Sequence, residues 1–398
     1  MTPPSAVSAL THHPALRRSR EILLATDDEA LDLQATICQI PAPSGAEARR
    51  AEFVARHLRG LRLEPVHLDG AGNVVARWGG TEGGAVVVAA HLDTVFGAEV
   101  DLTVHRNGSR LVGPGISDNA RGLVGLLALA RAVAEAGWDT ERPVVFAATV
   151  GEEGEGDLRG ARYLFGPDGV TAAAVIALDG AGLDRVMHRA LGSRRFRVSY
   201  RGPGGHSWAA YGVPNPAHAV GRFVAGVAER PRPPKPSNAC SVVRLHGGTG
   251  LNSIPAMAWA EVDTRSEDPR ELDTIETTLR TLASEALETE NRRRAGGTAP
   301  LELAVEMIGD RPAGATPRDD PLVCAAVDAT RAIGREPELA AASTDANVPI
   351  ALGIPAIALG AGGMAGNTHL PTEWYDNTGG PDGLFRALLV LAAAAGLR

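Results

Sequence analysis

The sequence predicts an α/β protein: a mixed sheet flanked by helices, interrupted by a smaller inserted α+β unit. Three observations carry that reading. Short apolar runs such as Ala85-Val86-Val87-Val88-Ala89-Ala90 alternate with helical patterns up to about Gly180, as in sheets covered on both faces. Beyond Arg189 the texture changes to alternating strands such as Phe196-Arg197-Val198-Ser199-Tyr200, as expected where one face meets solvent. From Pro321 the first texture resumes, with helix to Ile333 and strand at Ala356-Ile357-Ala358-Leu359. At 398 residues the chain is long for one core, and two domains are expected.

Taken in order, residues 1–20 read as a loose arm rich in Pro, His and Arg. Glu21 to Ile40 has helical spacing and stops at Pro41-Ala42-Pro43-Ser44-Gly45. Ser44 with Glu47 fits a capping box opening a helix to Leu58. Asn73 to Trp78 is strand-like, glycines 79, 80, 83 and 84 turn into the next strand, and Asn119 to Ala136 is helical. In the insert, Asn215 to Glu229 and Glu271 to Glu288 are helices. Phe196 to Tyr200, Cys240 to Leu245, Met257 to Asp263 and Leu301 to Met307 are strands, with a proline-rich turn at Pro231 to Pro236. The order is β-α-β-β-α-β. The expected division is therefore 21–190 with 310–398 for the main domain and 191–309 for the insert.

Ligands in open α/β sheets collect outside the carboxyl ends of the strands. Here those ends carry metal-ligand residue types. One strand runs into His91-Leu92-Asp93-Thr94, another into Gly151-Glu152-Glu153-Gly154, a third into Asp179-Gly180 and a fourth into a glycine-rich loop ending Asn367-Thr368-His369. Gly113-Pro114-Gly115-Ile116-Ser117-Asp118-Asn119 lies just before a helix. Alone, Asp118 also fits an N-cap; beside His91, Glu153, Asp179 and His369 it becomes the candidate to bridge two metals. Asp93 is placed to hold the second nitrogen of His91. Adjacent carboxylates such as Glu152 and Glu153 repel unless a cation lies between them or one is protonated. Imidazole and carboxylate ligands without thiolate suit zinc, with cobalt or manganese as substitutes.

Composition narrows the alternatives. A net charge of −8 disfavours a nucleic-acid groove, and Asn291-Arg292-Arg293-Arg294 is a short basic run before glycines. Hydrophobic residues make up 44% and charged ones 22%, as in ordinary globular proteins. Aromatics are only 4%, so the core rests on Ala, Val and Leu. Three scattered cysteines, Cys38, Cys240 and Cys324, form neither a disulfide framework nor a zinc ribbon. The longest apolar run, Ala387 to Leu397, is short of the roughly 20 residues that span a bilayer. With no basic start followed by an apolar core at the N-terminus, a cytoplasmic protein is expected. Neither HExxH nor GxSxG occurs.

From about Ile40 onward the chain resembles the zinc peptidase and deacylase family of clan MH, which includes peptidase T, glutamate carboxypeptidase, aminoacylase, acetylornithine deacetylase and succinyl-diaminopimelate desuccinylase. The motifs are those above, joined by Gly204-Gly205-His206-Ser207, Gly250-Leu251-Asn252-Ser253-Ile254-Pro255 and Asp263-Thr264-Arg265. The resemblance implies a phosphorylase/hydrolase-like main fold with a ferredoxin-like lid and dimerisation domain. It implies two zinc ions per subunit, one held by His91, Asp118 and Asp179, the other by Asp118, Glu153 and His369. Glu152 is then the general base. His206 resembles the family histidine that stabilises the oxyanion, often from across a homodimer interface. Asn252 and Arg265 resemble its substrate-binding pair. A cis peptide bond after Asp118 is implied as well.

In this family Asp at the position of Asp179 goes with aminopeptidases and dipeptidases, and Glu with carboxypeptidases and deacylases. The expected activity is therefore amide hydrolysis in short peptides, with N-acyl amino acids as the alternative substrates. Ser343 to Asn347 followed by Val348-Pro349 fits a substrate-facing loop. A silent metal-binding protein would lack the base or a ligand, and none is missing; a scaffold role carried by the insert is the remaining reading of another class.

Overall fold

Strands apolar up to their last residue can bury both faces, and such strands occupy the middle of a parallel sheet. In the computed structural model, which describes residues 6–61, 63–231 and 238–398, four of them lie side by side. Their order is Val144–Thr149, Ala85–His91, Ala172–Leu178 and Ala356–Leu359, all parallel. Val74–Trp78 flanks them antiparallel on one side and Arg185–Ala190 on the other. Parallel alignment brings the four carboxyl ends to one edge: His91 lies opposite Thr149, and Leu178 opposite Leu359.

Side chains alternate between two cores. Val86, Val88, Ala90, Phe146 and Ile176 pack with the helices Ala120–Glu135 and Gly380–Ala395. Val87, Val145, Val175 and Ala177 pack with Leu164 and Ile350 on the other face. Among the described residues no helix is long and apolar enough to cross a membrane.

The chain divides into Met1–Ala190 with Ala315–Arg398, and Leu191–Gly314. The inserted unit has an antiparallel sheet ordered Asn238–Gly247, Met257–Ser266, Gly192–Arg201 and Glu302–Arg311. Helices Pro216–Ala228 and Pro269–Arg292 cover it through Phe223, Ile275 and Leu279. This is the ferredoxin-like arrangement.

Several local expectations need correction. The loose arm is not loose from Ala6 onward: helices Ala6–Leu10 and Pro14–Ala25 occupy it. Pro14 sits at a helix start, where its missing N–H costs nothing, and Leu16, Ser19, Ile22 and Leu23 form a buried stripe. Ser19 ties it down, accepting from Trp138 Nε1 at 2.9 Å. The helix expected over Glu21 to Ile40 breaks at Thr26, where Asp27–Cys38 begins with three acidic residues in its first turn. Ser44 and Glu47 do not form a capping box. The helix is Ala48–Gly60, and the Ser44 hydroxyl donates to Asp93 Oδ2 instead, at 2.6 Å. The strand Glu302–Arg311 runs past Asp310, so the second join falls at Gly314. Of the proline-rich turn, everything after Pro231 lies outside the described residues.

Candidate metal centre

Asp118 is the hub of the site. Its Oδ1 lies 3.0 Å from His91 Nε2, and its Oδ2 lies 3.1 Å from His369 Nε2. His369 Nε2 is also 3.2 Å from Glu153 Oε1, and Asp179 Oδ1 is 4.0 Å from His91 Nε2. Donor atoms of His91, Asp118 and Glu153 lie within 4.8 Å of one another. The five residues assigned as ligands thus converge, from three strand ends and two loops.

Each is placed by backbone architecture. His91 closes its strand, and its Nδ1 is 3.1 Å from the Asp93 carbonyl and 3.5 Å from Asp93 Oδ1. The closer acceptor is the carbonyl, which directs Nε2 into the site. The Asp93 carboxylate has a duty the sequence did not disclose: it accepts the N–H groups of Glu152 and Glu153, both at 2.9 Å. That turn starts at Gly151, whose φ of +63 is open to glycine at little cost.

Asn119, not Asp118, caps the following helix, its Oδ1 accepting from Gly122 N at 3.1 Å. The same Asn119 oxygen accepts from Gly180 N, and its Nδ2 donates to Leu178 O at 3.0 Å, so it brackets Asp179. The Asp118–Asn119 peptide bond is cis. His369 adopts a φ of +66, a left-handed conformation uncommon for non-glycine residues.

A small antiparallel sheet joins the two remaining pieces. Its order is Met364–Gly366, Trp374–Asp376, Arg110–Val112 and His105–Asn107. Arg110–Val112 leads into the Asp118 loop, and Met364–Gly366 with Trp374–Asp376 bracket His369.

The electrostatics favour a cation. Burial, with Asp118 adding to it, pushes the Asp179 carboxyl up to about 7. Burial also opposes charge on Asp118, yet the hydrogen bonds to His369 and His91 hold it below the usual carboxylate range. Burial works against a charged His91, but its hydrogen bonds to Asp118 and Asp93 hold it well above the ordinary imidazole value. Hydrogen bonds to Asp118 and Glu153 raise His369 to about 10. Against burial, His91 brings Asp93 down to about 2. Carboxylates packed this closely around two imidazoles fit divalent cations better than any internal partner.

Residues 87–396 match the model of Peptidase family M20/M25/M40. The chain belongs to that family. A tripeptidase from Staphylococcus aureus superposes with a TM-score of 0.75 at 18% identity, covering 92% of this chain and 98% of its own. The aminopeptidase PepT from Bacillus cereus gives 0.72 at 20% identity, over 92% and 98%. A dinuclear metal-binding peptidase of family M20 from Bacillus subtilis gives 0.66 at 16%, over 93% and 99%. The comparison with curated proteins finds no match.

In the inserted unit of this M20 hydrolase, His206 lies in an exposed two-residue strand, its register partner being Ser253, next to Asn252. Ser207 N donates to Asn252 O at 2.8 Å, so the structure brings these two candidates together. Arg265 is placed apart from them. His206 follows the end of Gly192–Arg201 that pairs with Met257, whereas Arg265 pairs with Ser193 at the other end. Arg265 Nε donates to Asp263 Oδ2 at 2.9 Å, and Arg195 Nε to Asp263 Oδ1 at 3.1 Å.

Thr344, Asp345 and Asn347, expected to face substrate, are buried. Asp345 Oδ2 accepts from Thr149 Oγ1 at 2.5 Å, and Asn347 Oδ1 from Thr344 N at 2.9 Å. Through Thr149 this loop is tied to the sheet, and the Asp345 charge adds to the upward push on Asp179.

Sequence reasoning missed Glu373. It is fully buried, and its carboxylate accepts three backbone N–H groups of the Asp118 loop. A lone Glu between Thr372 and Trp374 carries no local pattern; only its spacing from His369 could have drawn notice.

Proposed function

We propose that this M20 hydrolase cleaves the amide bond of di- and tripeptides at a dinuclear metal centre, with Glu152 as general base. The observation that carries the reading is Asp118, whose two oxygens each face one histidine, His91 and His369, at 3.0 and 3.1 Å. A carboxylate placed between two histidines in this way would be free to serve two cations. His91, Asp118 and Asp179 would hold one ion and Asp118, Glu153 and His369 the other, zinc by donor type, with cobalt or manganese able to replace it. Bound there, such ions would lower the pKa of a water and polarise the scissile carbonyl.

Glu152 takes the proton as the water oxygen adds to the carbonyl carbon, then delivers it to the amide nitrogen as the C–N bond breaks. Its backbone is fixed for this by Asp93. His206 stabilises the oxyanion. Its Nδ1 accepts from Trp208 N at 3.2 Å and Ala209 N at 3.4 Å, so the neutral ring carries its proton on Nε2, as a donor. Asn252 and Arg265 bind substrate, an arginine suiting a substrate carboxylate because it can bond it bidentately.

We further propose a cytoplasmic homodimer in which His206 and Asn252 act in the partner's site. Asp179 and the likeness to a tripeptidase and an aminopeptidase support peptides over N-acyl amino acids. The test is a panel of di- and tripeptides extended to acetyl- and succinyl-amino acids, with metal content measured on the same sample. Peptide turnover that a chelator abolishes and metal restores is the expected result. Turnover of acyl-amino acids alone would move the assignment to a deacylase. Full metal loading without turnover on any member would overturn it.

A further inference from the structure

The loop from Gly113 to Asp118 must present one carboxylate to two histidines, yet it has no regular ladder of its own. Its N–H groups converge instead on Glu373. Gly115 N donates to Oε2 at 3.0 Å, while Ser117 N and Asp118 N donate to Oε1 at 2.9 and 2.8 Å. Gly113 N donates to the Glu373 carbonyl at 2.9 Å. Four bonds from one six-residue loop therefore end on one residue, whose side chain is fully buried.

We propose that Glu373 is a positioning residue for the metal centre, fixing the Asp118 loop so that both oxygens of Asp118 face their histidines. The inference rests on the dinuclear reading above. The last donor is the backbone N–H of Asp118 itself, so a shift at Glu373 moves the hub and not only its surroundings. On the other side Asn119 is tied to Leu178 and Gly180 around Asp179, which leaves the loop held from both flanks. Glu373 also lies four residues after His369, so one short segment supplies a ligand and the support for another. Asp93 does the same for the turn of Glu152 and Glu153. The three donors need an acceptor at both side-chain oxygens: a glutamine in its place would turn an NH₂ toward one of the N–H groups.

Metal-free wild type, Glu373→Gln and Glu373→Asp are titrated with Co²⁺ and Zn²⁺ by calorimetry, with the cobalt absorption spectrum recorded and folding checked by circular dichroism. In Glu373→Gln both metal affinities fall together, by roughly 10–100-fold, because Asp118 is common to both ions. Glu373→Asp keeps the charge but is one methylene shorter; it also lowers both affinities, which separates position from charge and keeps the test open if the Gln variant does not fold. Wild-type affinity in either folded variant, or weakening of one ion alone, overturns the inference. Wild type that binds no metal overturns the dinuclear reading itself, a different result from wild type and variants binding alike.

Discussion

In the larger unit, His91, Asp118 and Glu153 sit in a web of largely buried hydrogen bonds that the exposed His369 joins, whereas His206 and Asn252 of the inserted unit stand exposed on a short loop pair. Asp118 is fixed from the front by two histidines and from behind by Glu373. His206 has the N–H groups of Trp208 and Ala209 to set its tautomer, and Trp208 beside it is 86% exposed. The difference shows where each set obtains its precision. A metal centre must be preorganised, since mutually repelling carboxylates hold position only if the backbone is pinned. If His206 stabilises the oxyanion as proposed, it needs a defined donor direction, which the N–H groups of Trp208 and Ala209 set.

The sharpest way to break this contrast is Glu152→Gln. Its kcat falls by about 10²–10⁴ while both metals and the fold remain; kinetics and metal analysis on one preparation check this, and near-wild-type turnover removes Glu152 from its role. His206→Ala comes next. It costs about 10²–10³ in kcat, again without metal loss. Mixing it with Glu152→Ala after subunit exchange restores about a quarter of wild-type activity if His206 serves the partner, since half the dimers then hold one complete site of two. A mixture that exchanges subunits and stays inactive shows that His206 serves its own chain.

Glu153→Gln sharpens the other half of the comparison. It lowers metal content, with affinity for one ion falling beyond the roughly 10–100-fold typical of an outer-shell change; full occupancy in this variant would exclude Glu153 as a ligand. The smallest effect concerns packing alone. Burial pushes the Cys38 thiol up to about 12, whereas Cys324 is exposed. Since the thiolate is the reactive form, alkylation at pH 8 modifies Cys324 and leaves Cys38 untouched until denaturant is added. Rapid native labelling of Cys38, read by mass spectrometry, would show that the core around Ile37 and Pro114 opens.

The strand ends were legible because parallel strands buried on both faces leave an unmistakable apolar run, and the candidate site residues stand at or just beyond the end of each run. His91, Glu152, Glu153 and Asp179 were found that way. The arm before Glu21 misled, because Pro14 reads as a loop residue unless the stripe from Leu16 to Leu23 is weighed with it. Ser44 misled for a different reason: a hydroxyl three residues before a Glu fits a cap, and only the fold shows that it meets Asp93 first.

The sequence by itself determined the sheet and the insert and pointed to the candidate ligands, since periodicity and the residues at the strand ends are local properties. The tertiary structure alone decided how those ligands are held. Glu373 reaches Asp118 from 255 residues away, and strands of three residues, too short to show any period, join Arg110–Val112 to Trp374–Asp376. A buried carboxylate that gathers N–H groups from a distant loop leaves no pattern in its own neighbourhood, because what it satisfies is set by the fold.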